Sequence, residues 1–344
     1  MGVVMIYDFD ENILIRKSQL KSDIKETAGK CSMILLFLSV STYFGGSIIL
    51  RMLKIIGMGS GGYLNIASDT ESILGISKDA YNFWIGYFPC ILADILAITF
   101  CIFTFKKGIK TYFTLKKEVS SSFILSGAFA SIGVGIISSI IFLIYSMIFN
   151  SQGIDIPSPD FSIPKDGIYL VLFFAYTCII APVFEEIIFR GFILNNMRRF
   201  GNITAILVTS VFFSMFHFNL VQLVNPILMG IILSFIAIRS ESIISCIIVH
   251  MFNNIMAMLT TVISYIDSQA VILIWSSLYY LIGIAALFYF IFKYGGEFLK
   301  AVKEQNTVLK VRKKLLYSFS NKWALMYILF YIFVVTITMA AKNI

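Results

Sequence analysis

Residues 168–197 read IYLVLFFAYTCIIAPVFEEIIFRGFILNNM. A hydrocarbon layer of roughly 30 Å takes about 20 mostly apolar residues to cross, so the run is long enough to span one. Its middle nevertheless holds Glu185, Glu186 and Arg190. A charge at that depth costs on the order of 3 kcal/mol on insertion, which marks the segment as one whose polar groups have a use inside the bundle. The rest of the chain repeats the apolar length. Candidate spans fall at 31–50, 81–105, 122–149, 168–197, 203–218, 221–238, 242–265, 270–292 and 323–341. The fifth and sixth are short and nearly contiguous, so the count is eight to nine. The fold class expected is all-α, a polytopic transmembrane helix bundle with a central polar cavity. Composition agrees, since 58% of the 344 residues are hydrophobic and only 13% charged. Soluble domains carry roughly 25% charged residues, so a soluble or disordered chain is excluded.

Lysine and arginine cluster in 1–30, 106–121, 198–199, 239 and 293–322, and the alternate segments hold only Arg51, Lys54, Lys78, Lys165 and Lys342. Cytoplasmic loops carry the basic excess, which predicts a multi-pass protein of the cell membrane with its N-terminus cytoplasmic. The net charge of +8 then reflects topology. There is no basic stripe with interleaved aromatics, so no nucleic-acid partner is expected. Cys31, Cys90, Cys101, Cys178 and Cys246 lie singly in apolar runs and read as small core residues rather than disulfides or metal ligands. The organisation expected is a tail at 1–30, accessory helices at 31–150, a transmembrane core around the charged span at 151–292, a basic interfacial segment at 293–322 and a last helix at 323–344. In the basic segment Val308, Val311, Leu315 and Phe319 recur at helical spacing. That pattern suits a helix resting on anionic headgroups, making membrane lipid an expected partner. The Gly-Ser-Gly-Gly stretch at 59–62 reads as a loop.

Six ionisable residues fall inside spans: Asp94, Glu185, Glu186, Arg190, His217 and His250, which include the chain's 2 histidines. Glu186 and Arg190 are four apart, share a helix face and pair in the favourable order. Glu185 is about 100° further round and needs another partner. Pro182 removes a backbone donor one turn earlier, which predicts a kink and a freed carbonyl near Cys178. Phe213 with His217, and His250 with Asn254, repeat the four-residue spacing on two more helices. At 1.5 Å per residue, Glu185, His250 and His217 lie about 18, 12 and 21 Å into their spans from the same side, so one aqueous pocket can satisfy all three. Asp94, on the second span, reads as structural and outside this cluster.

Each of these groups has a plain account as a clasp between helices. Together they have a chemical one. A carboxylate and an imidazole aimed at one water can remove its proton, and a desolvated carboxylate is the stronger base. A second imidazole and an amide can donate hydrogen bonds to an oxyanion. That inventory suffices for amide hydrolysis without a protein nucleophile. Neither Gly-x-Ser-x-Gly nor His-Glu-x-x-His occurs. On the residues alone, a zinc site of His217, His250 and one glutamate stays open. So do a non-catalytic immunity or scaffold protein binding a peptide or membrane partner, and a proton-coupled transporter using the cluster as a relay. The internal repeat common in transporters is not visible.

Glu-Glu-x-x-x-Arg (185–190), Phe-x-x-x-His (213–217) and His-x-x-x-Asn (250–254), in that order on successive helices, resemble the CAAX protease and bacteriocin-processing family, also called the Abi family, to which the type II CAAX prenyl endopeptidase belongs. All three motifs match without substitution, over about 168–260. The resemblance implies an intramembrane glutamate endopeptidase with a conical cavity, needing no metal or other cofactor. It implies that Glu185 and His217 activate water, that His250 and Asn254 form the oxyanion hole, and that Glu186 and Arg190 orient the site. It further implies a membrane-associated peptide or protein as substrate, in bacterial bacteriocin or pheromone processing or in self-immunity.

Overall fold

The computed structural model describes residues 2–59, 72–73, 76–106, 119–159, 162–303 and 308–343. Ser60–Gly62 of the expected loop, Lys107, Lys110, Lys116 and Lys117 of the basic loop after the second span, and residues 304–307 of the basic segment lie outside the described residues. Among the described residues, ten helices follow one another: α1 (Gly2–Gly59), α2 (Lys78–Phe105), α3 (Ser121–Asn150), α4 (Gly167–Phe200), α5 (Asn202–Phe216), α6 (Val224–Ser240), α7 (Ile244–Ser264), α8 (Gln269–Val302), α9 (Val311–Phe319) and α10 (Lys322–Asn343). A two-residue antiparallel pair, Ser72–Ile73 with Ile76–Ser77, precedes α2. Among the described residues, 7 helices are long and apolar enough to cross a membrane. The shorter apolar helices α5 and α6 are the two spans marked as short by the sequence.

Helices α4 and α5 stand between two groups. On one side lie α1, α2 and α10, with α9 packed on α1 and α5. On the other lie α3, α6, α7 and α8. The outer faces are apolar, with Phe103, Phe288 and Phe292 among the most exposed side chains, as a hydrocarbon solvent requires.

Two segments make protein contacts that their sequence did not specify. The region 1–30, expected as a tail, is helical from Gly2 and continuous with the first span. Its Leu20, Ile24, Ala28 and Cys31 form a stripe at helical spacing between charged residues, and such a stripe buries. Ile24, Ala28 and Cys31 are fully buried, and Arg199 beyond α4's core donates to the Thr27 hydroxyl. The basic segment docks on protein through α9. Lys314 and Ser318 on α9 are buried, and Phe319 meets the Phe212 ring edge-on at 5.3 Å. Outward, Leu316 is 61% exposed.

Local backbone irregularity shapes the centre. Helix α4 widens into π turns at Tyr176–Ile180, just before Pro182, and again at Ile187–Leu194. Helices α3 and α8 approach through Gly133 and Gly283. A Cβ at Gly133 would collide with the Gly283 carbonyl, and one at Gly283 would lie 2.6 Å from Ile132 Cγ2. Without hydrophobic drive between helices in lipid, such small-residue contacts carry the association. Gly133→Val should therefore lower stability by about 1–3 kcal/mol in thermal unfolding of detergent-solubilised protein. Gly135→Val, where an added Cβ meets nothing within 4 Å, should leave it unchanged.

Candidate active site

The site grows from the irregularity in α4. Proline supplies no N–H, so in a π turn the carbonyl five residues before Pro182 loses its donor. That carbonyl belongs to Thr177, one residue before the position expected for a regular α-helix. The Asn254 amide of α7 donates to it at 2.9 Å, and Asn253 donates to Asn254 Oδ1 at 3.3 Å.

One turn later, the two adjacent glutamates separate. Arg190 Nη1 donates to Glu186 Oε1 at 2.7 Å, with both side chains 0% exposed. His250 Nδ1 lies 2.8 Å from the same oxygen, which ties α7 to α4. The guanidinium of Arg190 sits 4.5 Å above the Phe213 ring, a cation–π contact that offsets part of its desolvation. Phe213 in turn packs edge-on against His217 at 5.4 Å and His250 at 5.8 Å. The phenylalanine of Phe-x-x-x-His is thus a shared wall for the arginine and both imidazoles, a role that the spacing did not reveal.

Glu185 turns away from this dry cluster. Its Oε2 lies 3.7 Å from His250 Nε2, beyond hydrogen-bond reach, and the carboxyl opens on a cavity of about 240 Å³. His217 lines the same cavity, with Tyr43 of α1, Cys90 and Asp94 of α2, and Tyr176 of α4. The structure therefore brings Glu185 and His217 together at one cavity. His250 meets it through Glu185, and Asn254 stands outside its lining, held by Thr177.

His217 is positioned by the turn that follows it. It ends α5, and Phe218 then adopts a left-handed backbone with φ of 51°. This conformation costs a non-glycine residue about 1–2 kcal/mol. Packing of the Phe218 ring against Tyr43, Tyr327 and Phe330 holds it there. The Asn219 side chain closes the turn, donating to the His217 carbonyl at 2.8 Å and accepting from the Gln222 N–H at 2.7 Å. Tyr145 of α3 donates to the Leu220 carbonyl.

Asp94 requires a correction. Expected as a structural residue outside the cluster, it is 4% exposed and forms part of the cavity wall beside Glu185. The signal was present, since an ionisable residue inside a span marks function by default. What hid it was the adjacency of α2 and α4. The zinc arrangement left open by sequence is not assembled, because among the described residues no three His, Cys, Asp or Glu side chains converge as metal ligands.

Residues 167–256 match the family model described as type II CAAX prenyl endopeptidase Rce1-like. The match spans all three motifs and includes neither α1 nor α2. No curated protein and no solved structure is matched.

The division between the two glutamates is testable by folding alone. Arg190→Ala leaves the buried Glu186 without its guanidinium partner, and should destabilise by about 3–5 kcal/mol. Glu185→Gln, facing the cavity, should stay within about 0.5 kcal/mol of the parent. Thermal unfolding of the purified variants, compared with size-exclusion profiles, distinguishes the two.

Proposed function

With an Rce1-like segment at 167–256, a family of membrane proteases, we propose that this multi-pass membrane protein is a glutamate-type endopeptidase cleaving a membrane-associated peptide. One observation carries the reading. Among the described residues, neither the Glu185 carboxyl nor the His217 ring is hydrogen-bonded, and both line one cavity, whereas Glu186 and Arg190 are committed to each other.

A water held between Glu185 and His217 gives up its proton as its oxygen adds to the substrate carbonyl carbon. The C–N bond then breaks and the proton passes to the leaving nitrogen, so the products are a free carboxyl and a free amine. His250 supports the oxyanion from Nε2. Its Nδ1 stays on Glu186 Oε1, which fixes the ring with Nε2 on the Glu185 side. Asn254, outside the cavity lining, acts as a positioning residue by holding the Thr177 carbonyl of α4. The basic segments face the cytoplasm. Peptide maturation or self-immunity against a peptide toxin is the setting that the motif resemblance favours.

The test uses full-length protein in nanodiscs and a membrane-anchored fluorogenic peptide. Glu185→Gln should lower kcat/KM by about 10²–10⁴-fold with the fold intact. Undiminished cleavage by that variant would sink the mechanism. Cleavage by the parent should also persist through exhaustive chelation, because here the acidity of water comes from side chains. Loss with chelator and recovery with added zinc would instead assign the activation to a metal ion.

A further inference from the structure

The cavity beside Glu185 carries an unbalanced set of charges. Its acids are Glu185 and Asp94, and no lysine or arginine lines it. The nearby Arg190 is closed off in its pair with Glu186. Asp94 itself is 4% exposed, and among the described residues no hydrogen bond or ion pair reaches its carboxyl. The other carboxyl on the cavity, Glu185, carries the same sign of charge when ionised. A charge removed from water is costly unless it is paired, and a cation arriving from outside the chain would pair it. The walls around it suit one. Tyr43 and Tyr176 contribute aromatic rings and Thr42 a hydroxyl oxygen to the lining, groups that can hold an ammonium or guanidinium alongside a carboxylate. At about 240 Å³ the space takes one side chain. It is also the space onto which the Glu185 side chain opens.

We propose that Asp94 is a specificity-determining residue, binding a cationic nitrogen group of the substrate and directing cleavage to a bond beside a basic residue or a free amino terminus. The proposal rests on the endopeptidase reading above. It assigns the recognition element to α2, outside the segment matched by the family model.

Full-length protein in nanodiscs would be given matched peptides carrying Lys, norleucine or Glu next to the scissile bond, each with a free or acetylated amino terminus. The parent should prefer Lys to norleucine by about tenfold or more in kcat/KM, with Glu slowest. In Asp94→Asn the preference should shrink to about twofold or less, through a raised KM for the Lys peptide, with kcat on the norleucine peptide within about threefold of the parent. Asp94→Glu should keep the preference. A preference abolished by acetylation rather than by norleucine would identify the cation as the amino terminus. Equal rates on all peptides in the parent overturn the proposal even if Asp94→Asn fails to fold. A uniform loss of activity on every peptide in a folded Asp94→Asn also overturns it. If the parent cleaves nothing, the endopeptidase reading fails separately, and the same peptides are then scored by thermal stabilisation. Greater stabilisation by Lys than by norleucine in the parent, lost in Asp94→Asn, supports cation recognition, and equal stabilisation overturns it.

Discussion

A carboxylate and a guanidinium with no solvent exposure organise the centre of this protein. Arg190 and Glu186 lie one helical turn apart on α4, both 0% exposed. Such a pair is weak as a source of net stability, because desolvation of both ions offsets most of their attraction. Its force is directional. Once the pair is buried, any packing that separates its members leaves a naked charge in a dry interior, so alternative packings are penalised steeply. His250 joins on the same carboxylate oxygen at 2.8 Å, and Phe213 covers the guanidinium. Three helices, α4, α5 and α7, are thereby held in one register around a few atoms.

The π turns of α4 make this compatible with a reactive carboxyl next door. A regular helix would point adjacent side chains about 100° apart and would use every backbone donor. Widening at Tyr176–Ile180 and Ile187–Leu194 changes the pitch on either side of Pro182, and the missing donor is answered by Asn254 at Thr177. Local wide turns of this kind are common at functional sites because they re-aim side chains at modest energetic cost. Here Glu186 points into the dry cluster and Glu185 into the cavity. Two chemically identical side chains thus receive different surroundings, one paired through Oε1 with Arg190 and His250 and one facing open space.

The cavity is a composite. Glu185, Tyr176 and His217 come from the family-matched segment, and Tyr43, Cys90 and Asp94 from α1 and α2. The two sides of the cavity therefore have different origins along the chain. The turn at Phe218–Gln222 joins the two parts, since the aromatic cage holding Phe218 is built from α1 and α10.

What the sequence determined by itself is local in origin. The span lengths, the apolar periodicity and the four-residue spacings of Glu186 with Arg190, Phe213 with His217 and His250 with Asn254 follow from helix geometry, which residues a few positions apart settle among themselves. The same locality made the stripe Leu20, Ile24, Ala28 and Cys31 readable in principle, although its charged flanks suggested a tail. Only the tertiary structure decided which helices touch. The adjacency of α2 and α4 that brings Asp94 to Glu185, the docking of α9 through Phe319 on Phe212, and the capture of the Thr177 carbonyl by Asn254 each join residues far apart in the chain. In a bundle whose outward faces are all apolar, one span resembles another to its neighbours. The pairing is then chosen by the fit of small residues and by the few buried polar groups that must find one another, and neither is written in the period of a single helix.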